Sequence, residues 1–89
     1  MTDNEKVMDL IKHAKEIMSD GHEMRAYEKK YFDLKGTKNT QIRMHRVLNK
    51  WFCRVSILKR HNRLSDAEYA LLEKVYYIIL FSINAMTIE

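Results

Sequence analysis

Apolar residues recur along this chain with the period of a helix. Val7, Ile11, Ala14 and Met18 follow at i, i+4, i+7 and i+11, with Leu10 and Ile17 beside them. This is one apolar stripe, and it predicts a helix from about Asn4 to Ser19. Thr2 and Glu5 stand at capping-box spacing before it. The Ser-Asp-Gly at 19–21 reads as a stop, and a second helix is predicted from His22 to Lys35, with Met24, Tyr27, Tyr31 and Leu34 on one face and Gly36 as its end. The two could also run together as one rod through Gly21, since glycine inside a helix costs only about 1 kcal/mol. After the turn at Thr37–Thr40, Met44, Leu48, Trp51, Val55 and Leu58 repeat at heptad spacing and predict a third helix ending near Arg60. Ser65 and Glu68 form the clearest capping box in the chain, with Leu64 and Tyr69 placed as a hydrophobic staple. The fourth helix is predicted to run from there to about Ala85.

The segment VYYIILFSI at 75–83 would also suit a buried strand, but no second strand-like run stands ready to pair with it. An unpaired strand cannot satisfy its backbone, so the helix is preferred. A helix apolar on every side must be enclosed on every side. The expectation is therefore an all-α, compact three- to four-helix bundle, one domain over residues 1–89, with a homodimer formed through Val75, Tyr76, Ile79 and Leu80 of the C-terminal helix.

Composition agrees with this class. The chain has 89 residues, 46% hydrophobic and 31% charged, with no proline and two glycines, which argues against disorder and turn-rich β architectures. A single cysteine, Cys53, excludes an internal disulfide framework. The first twenty residues are studded with charges and do not read as a secretory signal. The longest apolar run, from Val75 to Met86, is too short for a membrane span, which needs about twenty residues. A cytoplasmic protein is the expectation.

Charge changes the picture more than composition does. The net charge of +4 hides three blocks. Residues 1–33 carry eight acids and six bases, and residues 66–89 carry four acids and one base. Between them, residues 34–65 carry nine bases and no acid: Lys35, Lys38, Arg43, Arg46, Lys50, Arg54, Lys59, Arg60 and Arg63. A single-sign block repels itself, and a chain that folds with one usually meets an anionic partner. On the third predicted helix, Arg43, Arg46, Lys50 and Arg54 fall on one stripe well around from the apolar one. Arginine favours bidentate phosphate contacts and stacking, and a cationic ridge matches a phosphate backbone. All nine bases are therefore candidate nucleic-acid contacts, with Tyr27, Tyr31 and Phe32 as stacking surfaces if they are exposed. The helix 22–35, the turn and the third helix could also form a helix-turn-helix, but only Asn39, Gln41 and Asn49 suit base edges. RNA or non-specific duplex contact fits better.

Catalytic chemistry finds little footing. His13, His22, His45 and His61 have no metal spacing, and no cofactor motif is evident. His13 with Glu16, or His22 with Glu23, resembles common surface pairing rather than an acid–base couple. Cys53 next to Arg54 reads as an ordinary cysteine. An enzyme is not expected. Short length, lack of proline, abundant Lys, Met, Asn and Ile, and lopsided charge resemble the small early proteins of T-even-type bacteriophages. Among these are TifA-like basic RNA-binding inhibitors of toxin ribonucleases. That resemblance implies an RNA-binding inhibitor or antitoxin acting stoichiometrically against a host defence nuclease, in the host cytoplasm. Bacteriocin immunity proteins are similar in size and basicity. They represent the rival class, a module whose ridge grips an acidic protein surface.

Overall fold

The computed structural model describes residues 1–19 and 32–89. Three helices are present among them: α1 at Asp3–Ser19, α2 at Lys38–Arg60 and α3 at Asp66–Asn84. The predicted bundle is what the chain forms. Most of the second predicted helix, with Met24, Tyr27 and Tyr31, lies outside the described residues. Its predicted end does not hold, because residues 32–34 are non-helical and Lys35–Gly36 (β1) pairs in parallel with Thr87–Ile88 (β2). The Thr87 amide donates to the Leu34 carbonyl and the Glu89 amide to the Gly36 carbonyl, both at 2.9 Å. Gly36 is thus a place of close approach rather than a helix stop. A Cβ there would lie 2.6 Å from the Met86 Cε atom.

Local capping sets the helix ends. The Ser65 hydroxyl accepts from the Glu68 amide at 3.1 Å, and the Glu68 carboxylate accepts from the Ser65 amide at 3.1 Å, which completes the expected box. These bonds from Ser65 hold the Glu68 carboxyl below its ordinary range, with the backbone bond the larger cause. At α1 the Thr2 hydroxyl accepts from the Glu5 amide, but it also donates to the Glu5 carboxylate, so only half of the box forms. Thr37 caps α2 by accepting from the Thr40 amide. The far end of α2 is a Schellman motif. Asn62 takes φ 57°, the Asn62 amide donates to the Lys59 carbonyl, and the Arg63 amide donates to the Leu58 carbonyl. Asparagine tolerates this left-handed conformation better than most residues.

The core is built around α3. Val75, Ile78, Ile79 and Ile83 pack with Val7, Ile11 and Ala14 of α1 and with Met44 and Leu48 of α2. Met86 closes the cluster beside Gly36. Two of the four residues expected at a dimer surface lie inside this packing instead. Val75 and Ile79 are fully buried, and Tyr76 and Leu80 are partly buried against the same cluster. Among the described residues, α1 and α2 of the same chain pack against the buried side of α3. The heptad stripe on α2 also needs one correction. Met44, Leu48 and Val55 are buried and Trp51 is half-buried, whereas Leu58 is exposed.

Two buried polar side chains tie the layers together. The Gln41 amide nitrogen donates 2.9 Å to the Ile83 carbonyl in the last turn of α3, which also accepts from the Met86 amide at 3.2 Å. The Gln41 side-chain oxygen accepts from the Lys38 ammonium at 3.0 Å. The Ser82 hydroxyl accepts from the Phe32 amide at 3.3 Å. Among the described residues no buried side-chain polar atom lacks a partner.

Truncation at the centre of this core should be costly. Ile79→Ala is expected to lower stability by about 2–5 kcal/mol in urea unfolding. A loss below about 1 kcal/mol would mean that α3 is not enclosed as described.

Candidate nucleic-acid interface

α2 is the chain's one described helix without an acid in its first turn. α1 begins with Asp3 and Glu5, and α3 with Asp66 and Glu68. Such acids complement the positive end of the helix dipole, a gain of roughly 0.3–1 kcal/mol each. α2 forgoes them and opens with Lys38 instead. A local rule broken without local compensation is where function is to be sought.

Burial fixes which way the helix faces. Gln41, Met44, Leu48 and Val55 turn inward. Arg43, Arg46, Lys50, Arg54 and Arg60 are all exposed, as are Ile42, Asn49, Cys53 and Ile57 between them. Arg46, Lys50 and Arg54 follow at four-residue steps, about 6 Å of rise each. That step is close to two nucleotide rises of about 3.4 Å along one strand of a duplex. Among the described residues, none of these three meets a carboxylate within salt-bridge distance. They line a groove of ≈ 210 Å³ together with Trp51 of α2 and Asn4 and Met8 of α1.

The nine predicted contacts do not behave as one set. Arg43 donates through Nε to the Asp3 carboxylate, and one of its terminal nitrogens lies 3.4 Å from the Thr40 hydroxyl. Lys59 is turned to the other side of α2, where its ammonium binds Asp66. That hydrogen bond, with the Lys59 charge behind it, holds the Asp66 carboxyl below its ordinary range. Lys35 sits on β1 and Lys38 on the first turn of α2, at the end of the bundle where Lys38 holds Gln41. Arg63 follows the Schellman turn beyond the far end of α2. The exposed bases of α2 without a carboxylate partner among the described residues are therefore Arg46, Lys50, Arg54 and Arg60, spread over about 21 Å of helix.

A second groove, of ≈ 480 Å³, borders α2 on its α3 side and was not foreseen in the sequence. Asn49, Phe52, Cys53, Ser56 and Arg60 line it with Tyr76 of α3. The Phe52 ring lies 4.3 Å from that of Tyr76 and 6.0 Å from that of Tyr69, centroid to centroid. The Tyr76 hydroxyl donates to the Asn49 side-chain oxygen at 3.1 Å. The only sequence signal for it was the seven-residue spacing of Tyr69 and Tyr76 on α3. Phe32, by contrast, packs partly buried on the core, edge-on to His13 at 5.7 Å.

Among the described residues there is no cluster of three or more metal-ligating side chains. No described helix is long and apolar enough to cross a membrane. No protein-family model, curated protein or solved structure matches this chain.

If the cationic face is not part of the fold's support, its charge can be inverted without unfolding. Joint replacement of Arg46, Lys50 and Arg54 by Glu is expected to keep the helical circular-dichroism signal. Stability should stay within about 1.5 kcal/mol of the parent, since exposed substitutions usually cost within about 0.5 kcal/mol each. Loss of the helical signal would show that this face is structural.

Proposed function

We propose that this chain binds RNA or another nucleic acid through the outer face of α2, by phosphate contacts from Arg46, Lys50, Arg54 and Arg60. In this reading it acts stoichiometrically, as an inhibitor or antitoxin of the phage early-protein kind that its composition resembles. The observation that carries the reading is the exposed arginine-rich line on α2, which meets no carboxylate among the described residues, while Asp3 and Asp66 serve other bases. Asp3 holds Arg43 and Asp66 holds Lys59. Attraction to a polyanion is then the electrostatic outlet for a face that repels itself. Arginine supports it further through its fork of donors, which fits phosphate oxygens in pairs. The contacts are to backbone, so discrimination between sequences is expected to be modest.

The test is the salt dependence of binding to a single strand. Four phosphate contacts should give a slope of log affinity against log salt of about −2.8, at about −0.7 per neutralised phosphate. Charge reversal of Arg46, Lys50 and Arg54 should remove most of that slope together with the binding. A slope near zero, with tight binding to an acidic protein instead, would reject this reading in favour of the protein-binding class.

A further inference from the structure

The groove on the α3 side of α2 has features that phosphate contact does not use. It is walled by two aromatic rings, Phe52 and Tyr76, and by the polar groups of Asn49 and Ser56, with Arg60 also on its lining. Arg60 belongs to the cationic face as well, so the groove is continuous with it. A volume of ≈ 480 Å³ is ample for a planar ring, and falls within the size range of small-ligand sites.

We infer that this groove is a base-binding subsite, taking an unstacked keto base from the strand whose phosphates lie on Arg46, Lys50 and Arg54. The inference rests on the reading under Proposed function. The rings supply a stacking surface, which single-stranded nucleic acid uses at each bound base. Arg60 meets the phosphate that brings the base in. Asn49 sets the chemistry of the edge. Its oxygen is occupied by the Tyr76 hydroxyl at 3.1 Å, which fixes the amide and leaves its two N–H groups as donors. An asparagine with both ends free pairs with adenine through one donor and one acceptor. With one of the oxygen's two lone pairs engaged, the two N–H donors are the free end of the Asn49 amide. Its donors suit the O4 of uracil or the O6 of guanine better than the exocyclic amine that cytosine or adenine presents at the same place, which needs the oxygen already shared with Tyr76.

The probes are oligo(rU), oligo(rC) and an abasic ribose-phosphate strand of equal length, with affinities read by fluorescence anisotropy. Oligo(rU) is expected to bind at least about fivefold tighter than the abasic strand, the lower end of base–aromatic stacking. Phe52→Leu should bring that ratio towards one. Oligo(rU) should bind several-fold tighter than oligo(rC), and Asn49→Ala should remove the preference; Asn49 is exposed, so this variant is expected to fold. The unmodified chain offers an independent readout. Cys53 is an exposed free thiol on the groove lining, and saturating oligo(rU) should slow its alkylation while the abasic strand does not. Equal affinity for base-bearing and abasic strands, both lost on reversal of Arg46, Lys50 and Arg54, would overturn the subsite and leave phosphate binding standing. Equal affinity for oligo(rU) and oligo(rC) would overturn the keto assignment. Unchanged Cys53 alkylation would place the base elsewhere. If the unmodified chain binds none of the strands, the subsite and the nucleic-acid reading fall together.

Discussion

The run from Val75 to Ile83 cannot be left in water. Three isoleucines and a valine stand buried on one side of α3, with Tyr76, Leu80 and Phe81 half-buried around it. Each fully buried side chain of this kind is worth roughly 1.5–3 kcal/mol relative to exposure. The rest of the chain is arranged to collect that gain. α1 presents Val7, Ile11 and Ala14, and α2 presents Met44 and Leu48. The polar contacts follow the same demand. Gln41 takes an end carbonyl of α3, Ser82 takes the Phe32 amide, and Lys35–Gly36 pairs with the tail beyond Met86. The Ser82 bond gives the Phe32 amide a partner, and the Gln41 bond adds a second to a carbonyl that already accepts from the Met86 amide.

Enclosing α3 commits one side of α2 and so exposes the other. The consequence is electrostatic. Acids of α1 and α3 lie near the ends of α2, where Asp3 reaches Arg43 and Asp66 reaches Lys59. Along the middle, Arg46, Lys50 and Arg54 look outward past Trp51 with no acid on their own helix to meet them. Each ion pair has one well-exposed partner, Arg43 or Asp66, and pairs open to solvent in this way add little to stability. Their role in this account is to separate the bases that belong to the fold from those left for a partner. The aromatic groove then arises where α2 meets α3. Phe52 and Tyr76 fill the crease between the helices without closing it, which leaves ring surface beside the charged line.

Local signals in the sequence were legible, and non-local ones were not. The 7–11–14 stripe placed α1, and the Ser65–Glu68 box placed the start of α3 within one residue. The carboxylate-free window marked α2. By contrast, the pairing of Lys35–Gly36 with Thr87–Ile88 joins segments some fifty residues apart through two residues each, too short to leave a period-2 pattern. Gly36 read as a helix stop because its true constraint, the Met86 side chain, comes from that distant tail. The left-handed Asn62 leaves only a weak signal in the sequence, because asparagine marks such a cap less often than glycine. Val75 and Ile79, expected on a dimer surface, lie in the chain's own core, because apolarity measures how much enclosure a helix needs, not whose surface supplies it. Arg43 and Lys59 were legible as bases but not as partners of Asp3 and Asp66, which depend on how the helices meet.

We propose that a buried α3 holds α2 so that its arginine line can face a nucleic-acid strand. The most direct measurement is a titration of isotope-labelled protein with a short single strand, followed by nuclear magnetic resonance. The side-chain Nε–H signals of Arg46, Arg54 and Arg60 should shift progressively, while the backbone amides of Val75, Ile79 and Ile83 stay in place. Shifts centred on the outer side of α1, or spread through the α3 amides with the three arginine signals unmoved, would contradict it.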